Sequence, residues 1–123
     1  MAIVLIVEDS ATEANIISSC LQRGGFIPLV VTSSEAARLQ LQHQTPDAIV
    51  LDVVLPGESG FELCRELRKA PATANIPIVI CSTKDGDIDK FWAKKQGASA
   101  YVTKPIDQDE LIQTVQSVLG AKA

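Results

Sequence analysis

No stretch of this sequence stays apolar for the roughly 20 residues that a membrane helix needs, and no basic segment precedes the first apolar run. Neither a membrane anchor nor a signal sequence is therefore indicated, and a cytoplasmic protein is the default expectation. Lys and Arg are dispersed, and the net charge is -4 with a pI near 4.9. A nucleic-acid partner, whose phosphates call for clustered cations, is argued against. Cysteine is scarce: Cys20, Cys64 and Cys81 are odd in number, widely spaced and set in apolar patterns. That excludes a disulfide framework or a zinc site and leaves three buried thiols. Linkers, internal repeats and low-complexity segments are also missing. The 123 residues, 46% of them hydrophobic, are expected to form one domain over 1–123 that buries roughly two-thirds of its unfolded surface.

What is present is an alternation of strand-like and helix-like segments. Strands are expected at 3–8, 27–31, 48–52, 76–82 and 99–103. Ser10 with Glu13 forms a capping-box pattern ahead of Ile16, Ile17, Cys20 and Leu21, and Gly24-Gly25 ends that helix. Ser33-Ser34 opens a helix carrying Ala37, Leu39 and Leu41. Ser59 with Glu62 opens another, whose Phe61, Leu63, Cys64 and Leu67 face partly inward. Asp85 or Asp87 is expected to cap a helix running to Gln96, and Asp107 with Glu110 to start the last, with Leu111, Ile112, Val115, Val118 and Leu119 on its apolar side. The strands read as continuous apolar runs, which implies helices on both faces. The predicted fold is α/β: a doubly wound, five-stranded parallel sheet with five helices, flavodoxin-like, in strand order 2-1-3-4-5.

Such sheets bind ligands beyond the carboxyl ends of their strands. Glu8, Asp9 and Asp52 all fall at strand ends, where unneutralised carboxylates would repel one another. An all-oxygen set of this kind suits Mg²⁺, with Mn²⁺ as an alternative, and Mg²⁺ keeps positions for water and phosphoryl oxygens. Ser82 ends the fourth strand and Lys104 follows the fifth, so a hydroxyl and an ammonium converge on the same place. A phosphoryl group is the ligand that would use them all. Taken singly, each residue has a plainer explanation: a helix cap for Glu8 and Asp9, a turn for Asp52, solvated surface for Lys104, core for Tyr101. Their coincidence at one sheet edge favours the chemical reading.

The acid pair, Asp52 followed by Pro56-Gly57, then Ser82, Tyr101 and Lys104-Pro105, resemble the receiver domain of two-component response regulators over essentially the whole chain. The resemblance implies that Asp52 accepts a phosphoryl group from a sensor histidine kinase. It implies that Glu8, Asp9, Asp52 and the Val54 backbone carbonyl hold the metal. It further implies that Ser82 and Lys104 bind phosphoryl oxygens, that Ser82 and Tyr101 switch position, and that Lys104-Pro105 is a cis peptide. A downstream protein is expected on the face of the fourth helix, fifth strand and fifth helix, where some of Lys90, Trp92, Lys94, Lys95, Tyr101 and Gln113 would lie. Since the last helix ends near Leu119-Gly120, no effector domain is expected, and signalling would proceed through association.

Phe91 and Trp92 are expected to pack in the core, one of them near the rim. The stretch Phe91 to Ala98 resembles stand-alone regulators of pilus-driven motility or phototaxis. Val54, Thr83 and Lys84 depart from the usual receiver pattern, and are expected to tune phosphoryl lifetime (Val54, Lys84) and access to Asp52 (Thr83). Three rival readings stand beside this one. An aspartyl phosphatase would carry a second acid where Val54 stands. A flavin protein would carry a Ser/Thr/Gly-rich loop where Glu8-Asp9 stand. A phosphorylation-independent binding module would not need the full acid, hydroxyl and lysine set.

Overall fold

The computed structural model describes residues 1–122. Five βα units run in order: β1 (Ile3–Val7), α1 (Ala11–Arg23), β2 (Ile27–Val31), α2 (Ser34–His43), β3 (Ala48–Leu51), α3 (Gly60–Lys69), β4 (Ile78–Ser82), α4 (Asp87–Lys95), β5 (Ala100–Thr103) and α5 (Gln108–Lys122). All neighbouring strands are parallel, in the order β2-β1-β3-β4-β5, as expected from the sequence. The chain reverses its direction of winding beside β1, which opens a crevice between the ends of β1 and β3.

Alternation along each strand divides the core into two layers. Val4, Ile6, Val50, Val79 and Cys81 pack against Ile17, Cys20 and Leu21 of α1 and Leu111 and Val115 of α5. Leu5, Val7, Ile49, Leu51, Ile78 and Ile80 pack on the other face against Ala37, Leu63, Cys64, Leu67 and Ala93. Each of the Val, Leu and Ile side chains among them contributes about 1.5–3 kcal/mol on burial. All three cysteines are free and buried; burial pushes the thiols of Cys64 and Cys81 up, to about 11 and about 12. The edge strand β2 departs from two-faced burial, leaving Ile27 and Val30 exposed.

Serine side chains cap three helices. Ser10 Oγ accepts from the Glu13 N–H at 3.3 Å, Ser33 Oγ from Ala36 at 3.0 Å and Ser59 Oγ from Phe61 at 3.0 Å. Asp107 Oδ1 accepts from Glu110 N–H at 3.1 Å. Several expectations need correction. The N-cap of α4 is Gly86, without a side-chain bond, rather than Asp85 or Asp87; Asp87 and Asp89 sit inside its first turn, where their charge favours the helix N-terminus. β4 begins at Ile78 rather than Ile76, since the Ile76 N–H turns back to the Thr73 carbonyl and Pro77 has no N–H to pair. Ile16 and Leu39 face solvent, as do both Phe91 and Trp92.

Candidate functional site

The backbone fixes the site before any side chain acts. Glu8 N–H bonds the Val31 carbonyl at 3.0 Å, Asp52 N–H the Val7 carbonyl at 3.1 Å and Lys104 N–H the Ser82 carbonyl at 2.8 Å. Each residue is thus tied to the end of a neighbouring strand. Gly60 N–H donates to the Val53 carbonyl at 2.8 Å, bringing the start of α3 onto the end of β3. A Cβ at Gly60 would lie 2.0 Å from the Asp52 carbonyl oxygen. Gly57, at φ +79°, supplies the left-handed residue of the intervening turn.

Glu8, Asp9 and Asp52 place one carboxylate oxygen each within 4.8 Å of one another. Glu8 and Asp52 are buried and Asp9 is exposed. Lys104 is buried beside them, its Nζ 3.0 Å from Asp52 Oδ2 and hydrogen-bonded to Glu8 Oε1. Asp52 Oδ1 accepts from the Val54 N–H at 3.1 Å. Burial raises the Glu8 pKa against the opposing pull of Lys104 and of the Ser10 N–H, which reaches Glu8 Oε2 at 3.2 Å. Burial also disfavours the Lys104 charge, but its bonds to Glu8 and Asp52 outweigh this and carry its pKa up to about 12. The Lys104-Pro105 peptide bond is cis.

Ser82 is fully buried, and its Oγ accepts from the Lys84 N–H at 3.3 Å. Tyr101 is half-buried and its hydroxyl donates to the Lys84 carbonyl at 2.5 Å, while burial raises the phenol pKa. Ser82 and Tyr101 therefore both hold the backbone of one residue. Thr83 and Lys84 are exposed, and Val54 is 55% exposed at the mouth of the site.

Two contributors escaped the sequence reading. Glu13, treated there only as a capping partner, lies on the first turn of α1 with Oε2 at 3.9 Å from Lys104 Nζ. Its reciprocal bond to Ser10 is replaced by Glu8, and its spacing from the acid pair, just over one helical turn, was the available signal. Gly60 could have been suspected as a glycine at the first position of a helix, where a larger residue would ordinarily serve.

Three carboxylates with a buried ammonium, at the carboxyl ends of a 2-1-3-4-5 sheet, form an oxygen-rich site suited to a hard divalent cation and a phosphoryl group. The sequence profile of the response regulator receiver domain matches residues 4–116, and the chain belongs to that family. Among individual relatives, protein PilH of Pseudomonas aeruginosa is 39% identical over 120 residues, covering 98% of this chain and 99% of PilH. The sensory transduction protein RegX3 of Mycobacterium tuberculosis is 38% identical across 97% of this chain, which spans 51% of RegX3's own length. The solved structure of the chemotaxis response regulator CheY4 of Vibrio cholerae superposes with a TM-score of 0.89 at 30% identity, covering 96% of this chain and 98% of that one. No helix among the described residues is long and apolar enough to cross a membrane.

Proposed function

We propose that Asp52 accepts a phosphoryl group from a sensor histidine kinase and that this chain acts as a stand-alone response regulator. The observation that carries the proposal is the contact between Asp52 Oδ2 and Lys104 Nζ at 3.0 Å, inside the cluster with Glu8 and Asp9. The donor set fits Mg²⁺ or Mn²⁺: Glu8, Asp9, Asp52 and the Val54 carbonyl would hold the ion, which would neutralise charge on the phosphoryl oxygens. A carboxylate oxygen of Asp52 is the nucleophile. As its bond to phosphorus forms, the bond from phosphorus to the donor's imidazole nitrogen breaks, and the imidazole leaves. Lys104 stays protonated far above neutral pH and pairs with a phosphoryl oxygen, so the residues supply mainly alignment and charge.

Switching follows from the shared Lys84 contacts. A phosphoryl oxygen is a stronger acceptor than a neutral group and would draw the Ser82 hydroxyl toward it. The Lys84 N–H would then lose its bond to Ser82 Oγ, the segment that anchors Tyr101 would loosen, and the surface of α4 and β5 would change. The phosphoryl group moves this equilibrium only by binding the second arrangement better. A downstream protein would read the α4, β5 and α5 face. The similarity to PilH and to the chemotaxis response regulator CheY4 supports a role in motility or chemotaxis signalling. Val54, Thr83 and Lys84, at the open side of the site, are assigned to tuning phosphoryl access and lifetime.

Intact mass after exposure to phosphoramidate or acetyl phosphate, with and without Mg²⁺, tests the proposal. One metal-dependent phosphoryl adduct, absent in Asp52→Asn, is expected. No adduct under any of these conditions, with candidate kinases also supplied, would overturn it in favour of a phosphorylation-independent binding module.

A further inference from the structure

Helix α4 exposes more apolar surface than phosphoacceptor chemistry requires. Ile88 is 73% exposed, Phe91 56% and Trp92 51%, while Ala93 is the buried residue that seats the helix. At 3.6 residues per turn, Asp87, Phe91 and Lys95 fall in one stripe opposite Ala93, with Ile88 beside it. Lys90 and Lys94 lie on the flank toward β5, where they line a cleft of about 260 Å³ with Tyr101. The stripe is ordered along its length: Lys95 Nζ sits 5.5 Å from the Phe91 ring centroid, and Phe91 meets Trp92 edge to face at 6.2 Å. Charge is polarised along the helix axis. Asp85, Asp87 and Asp89 occupy the N-terminal end, and Lys90, Lys94 and Lys95 the C-terminal half.

A helix with acids at one end, an aromatic at its middle and cations at the other end is complementary to its own reversed copy. We propose that a second copy of this chain packs on the stripe, α4 against α4, antiparallel about a two-fold axis at Phe91. Residues equidistant from Phe91 then face each other. Asp87 of each copy meets Lys95 of the other, and the two Phe91 rings meet at the axis. A parallel arrangement would oppose like charges, and an acidic peptide would be repelled by Asp87 and Asp89. The flank carrying Lys90, Lys94 and Tyr101 stays open, so a downstream protein and the second copy need not compete for it. A nine-residue helix offers far less than the roughly 800 Å² per partner of a standard interface. The dimer is accordingly weak and exchanges rapidly.

Sedimentation velocity and NMR line widths across roughly 10 μM to 1 mM read this association in the full chain. Wild type is expected to show concentration-dependent dimerisation. Asp87→Lys and Lys95→Asp each create two like-charge contacts and should raise the dimer Kd roughly tenfold or more. An equimolar mixture of the two variants should recover association. In the mixed dimer the introduced lysine faces the introduced aspartate, and at the other contact the native Lys95 of one chain faces the native Asp87 of the other. Phe91→Ala, which alters no charge, should also abolish dimerisation. Thermal melts of each variant establish that it is folded. A wild type that stays monomeric throughout the range, or a mixture that associates no better than its separate components, would overturn the proposal.

Discussion

Replacing Gly60 by alanine should destabilise this chain, although alanine ordinarily favours a helix by about 1 kcal/mol over glycine. The added Cβ would lie 2.0 Å from the Asp52 carbonyl oxygen, 2.9 Å from its carbon and 3.0 Å from Val53 Cα. All three are backbone atoms, so no side chain can rotate away. Relief requires α3 to retreat from the end of β3 by about an ångström, which lengthens the bond between Gly60 N–H and the Val53 carbonyl. Overpacking of this kind costs about 1–3 kcal/mol, and a weakened buried hydrogen bond adds about 1 kcal/mol. Offset by the helix preference, the net loss is about 1–3 kcal/mol. For a chain of this size that lowers Tm by about 4–12 °C. The same retreat displaces Asp52, so labelling by phosphoramidate should slow as well. Gly120→Ala is the control: it lies in α5 with nothing within 4 Å of the added Cβ and should be neutral or slightly stabilising. Calorimetric melts of both variants decide the matter. A Gly60→Ala protein as stable as wild type, with unchanged labelling, would refute the packing argument.

Three further outcomes are expected. Lys104, with a folded pKa raised to about 12, contributes stability that is complete below pH 10.5 and lost as pH rises through 12, about 2 kcal/mol in all; metal-free melts should show this slope in wild type and not in Lys104→Met. Tyr101→Phe removes the donor to the Lys84 carbonyl, at a cost of about 0.5–1 kcal/mol, and hydrogen exchange of residues 83–86 in unphosphorylated protein should quicken; unchanged exchange would dismiss the anchoring role. Arg38 joins α2 to Glu66 of α3 and to Glu58, so Arg38→Ala should lose about 1 kcal/mol at low ionic strength and less in high salt, as urea titrations at two salt concentrations would show.

The architecture was legible because central strands buried on both faces cannot hide their hydropathy, and the acids interrupt those runs where the strands end. Glu8 and Asp52 were readable for the same reason, each following an apolar run directly, with Asp9 beside Glu8 and Lys104 separated from Ala100-Tyr101-Val102 by Thr103. Helix orientation was harder to read. Phe91 and Trp92 looked like core because aromatics usually bury their area, yet α4 seats itself through Ala93 alone, and a small residue gives no hydropathic signal. Ile16 and Leu39 likewise border the buried stripes of their helices, and periodicity does not separate the edge of a stripe from its centre. The contacts of Glu13 and Gly60 depend on how α1 and α3 meet the strand ends, and the local signals, a carboxylate one turn past the acid pair and a glycine opening a helix, do not specify those partners.

The bonds from Lys84 to Ser82 and Tyr101 use its amide and carbonyl, not its side chain. A connection made this way is indifferent to the identity of the residue that carries it. Substitutions at position 84 can alter charge at the mouth of the site and leave the link between hydroxyl and ring intact. Proline is the exception, because it would remove the amide hydrogen while keeping the carbonyl. On the proposed function, chemical tuning and mechanical coupling would be carried by different atoms of one residue, and the first would be free to vary without disturbing the second.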